Sequence, residues 1–416
     1  MSSLHLRRRT RCRLCDHPEL DRAVDVVATP PANNLVAAAD LDRAEERYPL
    51  DVYVCRACGH AQLLDIVDPA LLFSHYLYVS GTSPVFVEHL RRYARDVVQR
   101  FEVPTGSLIV EIGSNDGTLL RFFAEQGMRV VGVDPATNIA AEANASGVPT
   151  VNAFFTRDAA ERIRAEHGPA AVIVANNVLA HIDDLSEVMA GVGTLLAADG
   201  LLVFEVGYLV DVAAGTLFDT IYHEHVSYHT VRPLRGFLER HGLQLVDVQR
   251  NDSQGGTIRN FVQRLGGPRP VAESVGELVA LEERALGTHP LDGLRRLNDQ
   301  IRAVRDELTS LLAEIRGRGE RIAGYGAPAK ATTLMFQFGL DRDVLDYIVD
   351  DNPRKQGLFT PGLHVPIVAA DRLRDDPPHY LLILAWNFAE SIIEKNRAFA
   401  EQGGKFIVPL PEVRVR

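Results

Sequence analysis

Ten residues, Thr220-Ile221-Tyr222-His223-Glu224-His225-Val226-Ser227-Tyr228-His229, gather three of the chain's 14 histidines with two tyrosines and a carboxylate. Imidazole is the side chain whose ordinary pKa lies near neutrality, and a carboxylate beside it can tune and orient it. The stretch could therefore move a proton. A polar loop with solvated histidines has the same composition, and the ten residues alone do not separate the two. A second chemical group is Cys12-Arg13-Leu14-Cys15 with Cys55-Arg56-Ala57-Cys58, which holds all four cysteines. Two C-x-x-C pairs can close a tetrahedral site of four thiolates, as a structural zinc requires. Disulfides are the alternative. With no recognisable secretory leader they are less expected, and only His60 stands near as a further ligand, so a closed structural site is the reading.

Two glycine-containing turns also bear on chemistry. In Val110-Glu111-Ile112-Gly113-Ser114-Asn115-Asp116-Gly117-Thr118 an apolar run enters a turn and then a helix, as where a doubly wound sheet binds a nucleotide-like cofactor. The glycine spacing fits a dinucleotide fingerprint poorly. Glu111 and Asp116 bring negative charge where a pyrophosphate would want bare amides, which suits the cationic S-adenosylmethionine. Asp134, ending the next strand, is placed to accept hydrogen bonds from ribose hydroxyls. Further on, Asn176-Asn177-Val178-Leu179-Ala180-His181 ends another strand, from which His181 could share a cleft with Tyr222, Glu224 and His225. The second turn, Gly324-Tyr325-Gly326-Ala327-Pro328-Ala329-Lys330, reads as an anion site for the pyrophosphate of a nucleotide-linked substrate, with Lys330 as a contact. It lacks the G-K-[ST] ending of an ATP-hydrolysing loop.

These groups need elements to hold them. Residues 107–206 alternate short β-branched runs (108–112, 129–133, 150–153, 171–175, 201–206) with helical runs, which implies a mostly parallel sheet. Strands at 245–249 and 257–263 follow a helix near 233–241. Residues 271–318 read as two long helices, and 319–416 as a second, smaller α/β sheet with strands near 321–326, 344–349, 381–385 and 406–408 around helices at 327–338 and 388–402. The expected organisation is a zinc-binding module over 1–68, a linker and helix over 69–106, a cofactor-binding domain over 107–270, connecting helices over 271–318 and a C-terminal domain over 319–416.

Over 416 residues the formal charge is −11, which argues against nucleic acid as a partner, and no apolar run is long enough to span a membrane. The basic run Arg7-Arg8-Arg9 with Arg11 and Arg13 reads as a solvated tail. A cytoplasmic, monomeric protein is the default expectation.

Taken together, the paired C-x-x-C module, Tyr76-Leu77-Tyr78-Val79-Ser80-Gly81-Thr82-Ser83, the E-I-G-S-N-D-G run from Glu111, the N-N-V-L-A-H-I run from Asn176, Y-H-E-H-V-S-Y from Tyr222 and G-Y-G-A-P-A-K from Gly324 resemble the nucleotide-sugar C-methyltransferases of deoxysugar (antibiotic) biosynthesis, over nearly the whole chain. The likeness is strongest to enzymes that methylate C-3′ of dTDP-linked 3-amino-4-keto-6-deoxyhexoses. The resemblance implies an α/β fold with a central doubly wound S-adenosylmethionine-methyltransferase sheet, an N-terminal zinc-binding module and a smaller Rossmann-like C-terminal domain. It implies zinc on Cys12, Cys15, Cys55 and Cys58, and S-adenosylmethionine against Glu111, Gly113, Asn115, Asp134 and Asn176. It makes His225 the base with Glu224 orienting it, Tyr222 and His181 its neighbours, and Tyr76, Asn177 and Lys330 substrate contacts. Methylation at C-5′, an NAD-dependent nucleotide-sugar oxidoreductase built on the Gly324/Gly326 turn, and a non-enzymatic zinc-dependent binding protein are the rival readings.

Overall fold

The computed structural model describes residues 5–74 and 79–416. At its centre is a seven-stranded sheet of β1 (Leu108–Ile112), β2 (Arg129–Asp134), β3 (Thr150–Asn152), β4 (Ala170–Asn176), β5 (Leu196–Gly207), β6 (Leu243–Asn251) and β7 (Thr257–Arg264), in the spatial order 3-2-1-4-5-7-6. The first five strands run parallel, and β7 is antiparallel to both β5 and β6. β1 is buried along its whole length, as expected for a strand covered by helices on both faces, and its apolar run is interrupted only by the buried Glu111. Register carries the chain's candidate residues to one edge. Ile112 pairs with Val133 on one side and Ala175 on the other, so Gly113, Asp134 and Asn176 emerge together where strand order reverses.

The helix Pro84–Arg100 begins with Ser83 accepting from the Phe86 amide and with proline in its first turn, both common start signals. Its buried face (Phe86, Leu90, Tyr93, Ala94 and Val97) lies against the helix Thr118–Ala124, so this part of the expected linker forms a wall of the central domain. The long helix Leu291–Gly317 buries Leu294, Leu297, Ile301, Val304, Leu308, Leu312 and Ile315, a stripe at three- and four-residue spacing that fixes it to the core.

The N-terminal module is an antiparallel sheet of Leu20–Val24, Val52–Cys55 and Ala61–Leu63. Its fourth strand, Ser227–Tyr228, comes from the histidine-rich stretch. The basic N-terminal run is not a solvated tail. Leu6–Arg8 pairs with Asp65–Val67, and Arg7, Arg9 and Arg13 all engage Asp183.

The C-terminal sheet contains β8 (Ile322–Tyr325), β9 (Ile348–Val349), β10 (Ile367–Val368), β11 (Tyr380–Ile383), β12 (Lys405–Val408) and β13 (Arg414–Val415), ordered 10-9-8-11-12-13 and parallel except for β13. The single helix expected over 388–402 is two, Ala389–Lys395 and Arg397–Glu401. Asn396 separates them, its side-chain amide donating to the Ile392 carbonyl, a local bond of the kind that competes with helix geometry.

Candidate active site

One cavity of about 1390 Å³ runs from the carboxyl edge of the central sheet to the C-terminal sheet. The five expected cofactor residues, Glu111, Gly113, Asn115, Asp134 and Asn176, line it. So do His181, Tyr222, His225, Asn177 and Lys330. Tyr76 lies outside the described residues.

At the sheet edge, Asp134 accepts the Asn115 amide on one oxygen and the Ala136 amide on the other, each at 2.9 Å. Burial raises its pKa, and those two amides oppose the rise. Each oxygen keeps a lone pair for a further donor. Glu111 is more deeply buried, and burial followed by repulsion from Asp116 and Asp134 drives its pKa well up. One Glu111 oxygen has no hydrogen-bond partner, and neither has the Asn176 side-chain oxygen nearby. A buried carboxylate oxygen left bare costs free energy unless a positive or donor group meets it. The sulfonium and ammonium of S-adenosylmethionine, with its ribose hydroxyls at Asp134, fit this set. Gly113, at φ +65°, is required here: a Cβ would come within 2.4 Å of Val178.

The proton-handling residues meet at the cavity wall through a turn. The His225 amide donates to the Tyr222 carbonyl at 2.8 Å, and such a turn brings the first and fourth side chains together. Tyr222 and His225 accordingly lie ring to ring at 4.1 Å. The His225 Nδ1 is 2.7 Å from the Thr220 carbonyl, which can only accept, so Nδ1 carries the proton and Nε2 is the basic atom. Tyr222 donates its hydroxyl to that Nε2 at 2.9 Å. Burial lowers the His225 pKa to about 4, against a smaller rise from the Thr220 carbonyl, so the ring is neutral at neutral pH. His181 stacks on His225 at 5.0 Å and on Phe73 at 5.6 Å, and its Nε2 is buried without a partner.

Three expectations need correction. Glu224 does not orient His225. As an inner residue of the turn its carboxylate points away and accepts from Asn33, while the Thr220 carbonyl does the orienting. Lys330 does not offer an open charge to a phosphate. It sits 3.7 Å from the buried Asp219 carboxylate and 3.8 Å from the Trp386 ring centre, and Trp386 donates to the same Asp219 oxygen at 2.6 Å. The Gly324–Gly326 turn is likewise occupied. Asp350 accepts the Ala327 amide at 2.7 Å and lies beside Lys355, so the chain supplies its own anion. That occupant serves an NAD pyrophosphate no better than a sugar nucleotide's.

Sequence reasoning passed over Thr220, Asn33, Asp219 and Asp183. Thr220 opens the histidine stretch, Asp219 directly precedes it and Asp183 lies two residues past His181, so proximity was the available signal. His223 and His229 are buried on the side of the N-terminal module. His223 meets the Tyr48 carbonyl at 3.1 Å, and the His229 ring is 5.6 Å from that of His60. Burial lowers the pKa of His223 to about 4, with the Tyr48 carbonyl opposing. An unfolded histidine titrates near 6.5, so between about pH 6.5 and 4 the unfolded chain binds the extra proton and stability falls as pH falls. Buried carboxyls such as Glu111 act in the opposite sense, so the histidine share is best read by difference. From pH 7 to 5, His223→Gln is expected to lose about 2 kcal/mol less stability than the parent, measured by denaturant unfolding at both pH values.

The four cysteines form no disulfide, and their sulfur atoms all lie within 4.8 Å of one another. Cys12 and Cys58 are 3.6 Å apart, and Cys15 and Cys55 3.5 Å, near the edge of about 3.8 Å for a tetrahedron with zinc–sulfur bonds of about 2.3 Å. Four protein ligands leave no open position, so a zinc held here is structural.

Three family models match successive parts of the chain. A zinc binding domain matches residues 12–73, a methyltransferase domain 86–248 and a C-methyltransferase C-terminal domain 252–411. The chain is 40% identical over 404 residues to C-methyltransferase NovU of Streptomyces niveus, covering 97% of this chain and 96% of that one. Solved structures with similarity include magnesium protoporphyrin IX methyltransferase from Synechocystis PCC 6803 with bound SAH (14% identity, TM-score 0.34, 43% of this chain and 82% of that one). Another is the 1,6-didemethyltoxoflavin-N1-methyltransferase of Burkholderia thailandensis (19%, 0.33, 44% and 82%). No helix among the described residues is long and apolar enough to cross a membrane. On the relationship that spans almost its entire length, the chain belongs to the S-adenosylmethionine-dependent C-methyltransferases.

Proposed function

We propose that the protein methylates C-3′, the carbon next to the keto group, of a dTDP-linked 4-keto deoxysugar. The observation that carries the reading is a neutral imidazole, His225, with Nε2 as its basic atom, lining the same cavity as the unpaired Glu111 oxygen and the Asp134 carboxylate. Transfer to oxygen or nitrogen needs at most a weak base, because those atoms already carry lone pairs. Transfer to carbon needs a C–H bond broken first, and a keto group makes the adjacent proton removable.

In this reading the Tyr222 hydroxyl turns from His225 Nε2 to the keto oxygen, which frees the nitrogen's single lone pair to take the proton from C-3′ as the electron pair moves onto the keto oxygen as an enolate. Tyr222, whose hydroxyl hydrogen-bonds to Nε2, and His181, whose Nε2 is buried and unpaired, are the donors available to that oxygen. Bound S-adenosylmethionine supplies a methyl group on a sulfonium sulfur, the electrophile an enolate carbon requires. The imidazolium then loses its proton to solvent, which restores the base. Asn177 lines the same cavity and is the contact assigned to the sugar in this reading.

The test is incubation with labelled S-adenosylmethionine and a panel of 4-keto nucleotide sugars, with the methylated carbon located by NMR. Label at C-3′ of a dTDP sugar is the expected result. Label at C-5′ would move the reaction to the other flank of the keto group, and no transfer to any member would reject the substrate class. Asp134→Ala is expected to weaken S-adenosylmethionine binding tenfold to a hundredfold, as loss of a buried charged acceptor does, with calorimetry as the measurement.

A further inference from the structure

Arg13 stands between the first two metal-binding cysteines, yet its side chain is wholly buried and directed at the active site. Its guanidinium donates to the Val226 carbonyl at 2.6 Å and the Leu63 carbonyl at 3.2 Å. It also reaches one Asp183 oxygen through Nη2 at 2.9 Å and Nε at 3.2 Å. Val226 directly follows His225, and Asp183 lies two residues beyond His181. These same two segments touch once more, where the Val226 amide donates to the Ala180 carbonyl at 2.8 Å. The peptide units flanking Val226 are thus tied on both sides, to Ala180 through the N–H and to Arg13 through the carbonyl. Arg13 also ties down Asp183, and the His181 and His225 rings stack at 5.0 Å beside these ties.

We propose that Arg13 is a positioning residue for the His181–His225 pair, so that the cysteine knuckle sets the geometry of the base as well as holding its own module together. The part that concerns catalysis rests on His225 acting as the base. A proton-transferring group must be held within a fraction of an ångström of its working position, and a displacement of about 1 Å can cost a hundredfold in rate. Arginine is needed because its planar fork reaches a carboxylate and a carbonyl together, whereas a lysine ammonium is a single point. Arg7 and Arg9 also pair with Asp183, but they are more exposed, and Arg13 alone of the three also has a hydrogen bond to Val226 among the described residues.

The test uses two full-length, metal-loaded variants. Arg13→Met keeps the bulk and removes both arms. Asp183→Asn removes one arm from outside the knuckle. Each is checked for metal content, thermal unfolding and S-adenosylmethionine affinity, then for kcat and KM, with imidazole carbon resonances recorded on histidine-labelled protein. Both are expected to keep their metal and bind S-adenosylmethionine within threefold of the parent. Their kcat should fall tenfold or more at a KM within threefold, and the His181 and His225 resonances should move while those of His364 and His379 stay. Unmoved resonances and an unchanged kcat in folded Asp183→Asn would overturn the proposal. So would a loss in Arg13→Met that tracks its metal content and disappears on reloading. The resonances need no substrate: if they move while the parent methylates no nucleotide sugar, the substrate reading fails and the positioning role stands.

Discussion

His225→Ala is expected to lower kcat about a thousandfold, within the range general-base catalysis commonly supplies. S-adenosylmethionine binding should be nearly unchanged, because Glu111 and Asp134, at the sheet edge, have no contact with the imidazole. The decisive measurement follows the proton itself. With substrate deuterated at C-3′ the parent should release the label to solvent during turnover. In deuterated water with S-adenosylhomocysteine in place of the donor, it should exchange that position without methylating it. The alanine variant should do neither. Deuterium retained in the product of the parent enzyme, or near-normal turnover by folded His225→Ala, would rule out deprotonation by this residue. Tyr222→Phe gives a graded comparison. It keeps the ring against His225 but removes the hydroxyl bonded to Nε2, so the base survives while a candidate donor to the enolate oxygen is lost.

Removal of the metal is the second large effect. No cysteine is among the described residues lining the cavity, so a purely local view predicts an active metal-free enzyme. The opposite is expected. Structural zinc contributes on the order of 10 kcal/mol or more of apparent binding free energy in small modules. Cys12 and Cys55 are themselves buried members of the core that joins the N-terminal sheet to the central domain. Since Ser227–Tyr228 is a strand of that sheet, two residues past His225, unravelling the module withdraws support from the base. Exhaustive chelation should abolish methyl transfer and lower the unfolding temperature, and added zinc should restore both. Full turnover by protein shown to be metal-free would contradict this.

Much of the central domain is legible in the chain because buried parallel strands are written as largely apolar runs such as Leu108–Ile112, interrupted only by Glu111, and C-x-x-C spacing states its purpose in four residues. The active site is less legible, for reasons tied to particular residues. Glu224 is next to His225 in sequence, but neighbours in a turn face different ways, and the partner of Nδ1 is a backbone carbonyl, which composition cannot signal. Lys330 beside two glycines resembles an anion site until Asp219 and Asp350, distant or downstream, fill it. The N-terminal arginines look like solvent-facing charge because their anion, Asp183, is some 170 residues away.

The strand Ser227–Tyr228 also bears on how such enzymes can be recombined. It crosses what would otherwise be a seam between the N-terminal sheet and the methyltransferase domain, so the piece exchangeable between relatives is not a contiguous stretch of chain. A chimera that imports a foreign cysteine module while keeping its own residues 220–229 would pair a borrowed edge, Ala61–Leu63, with a native strand, and would have to match Gln62 to Ser227 and Ala61 to Tyr228. The unit of inheritance is a composite, two segments far apart in the gene that must travel together.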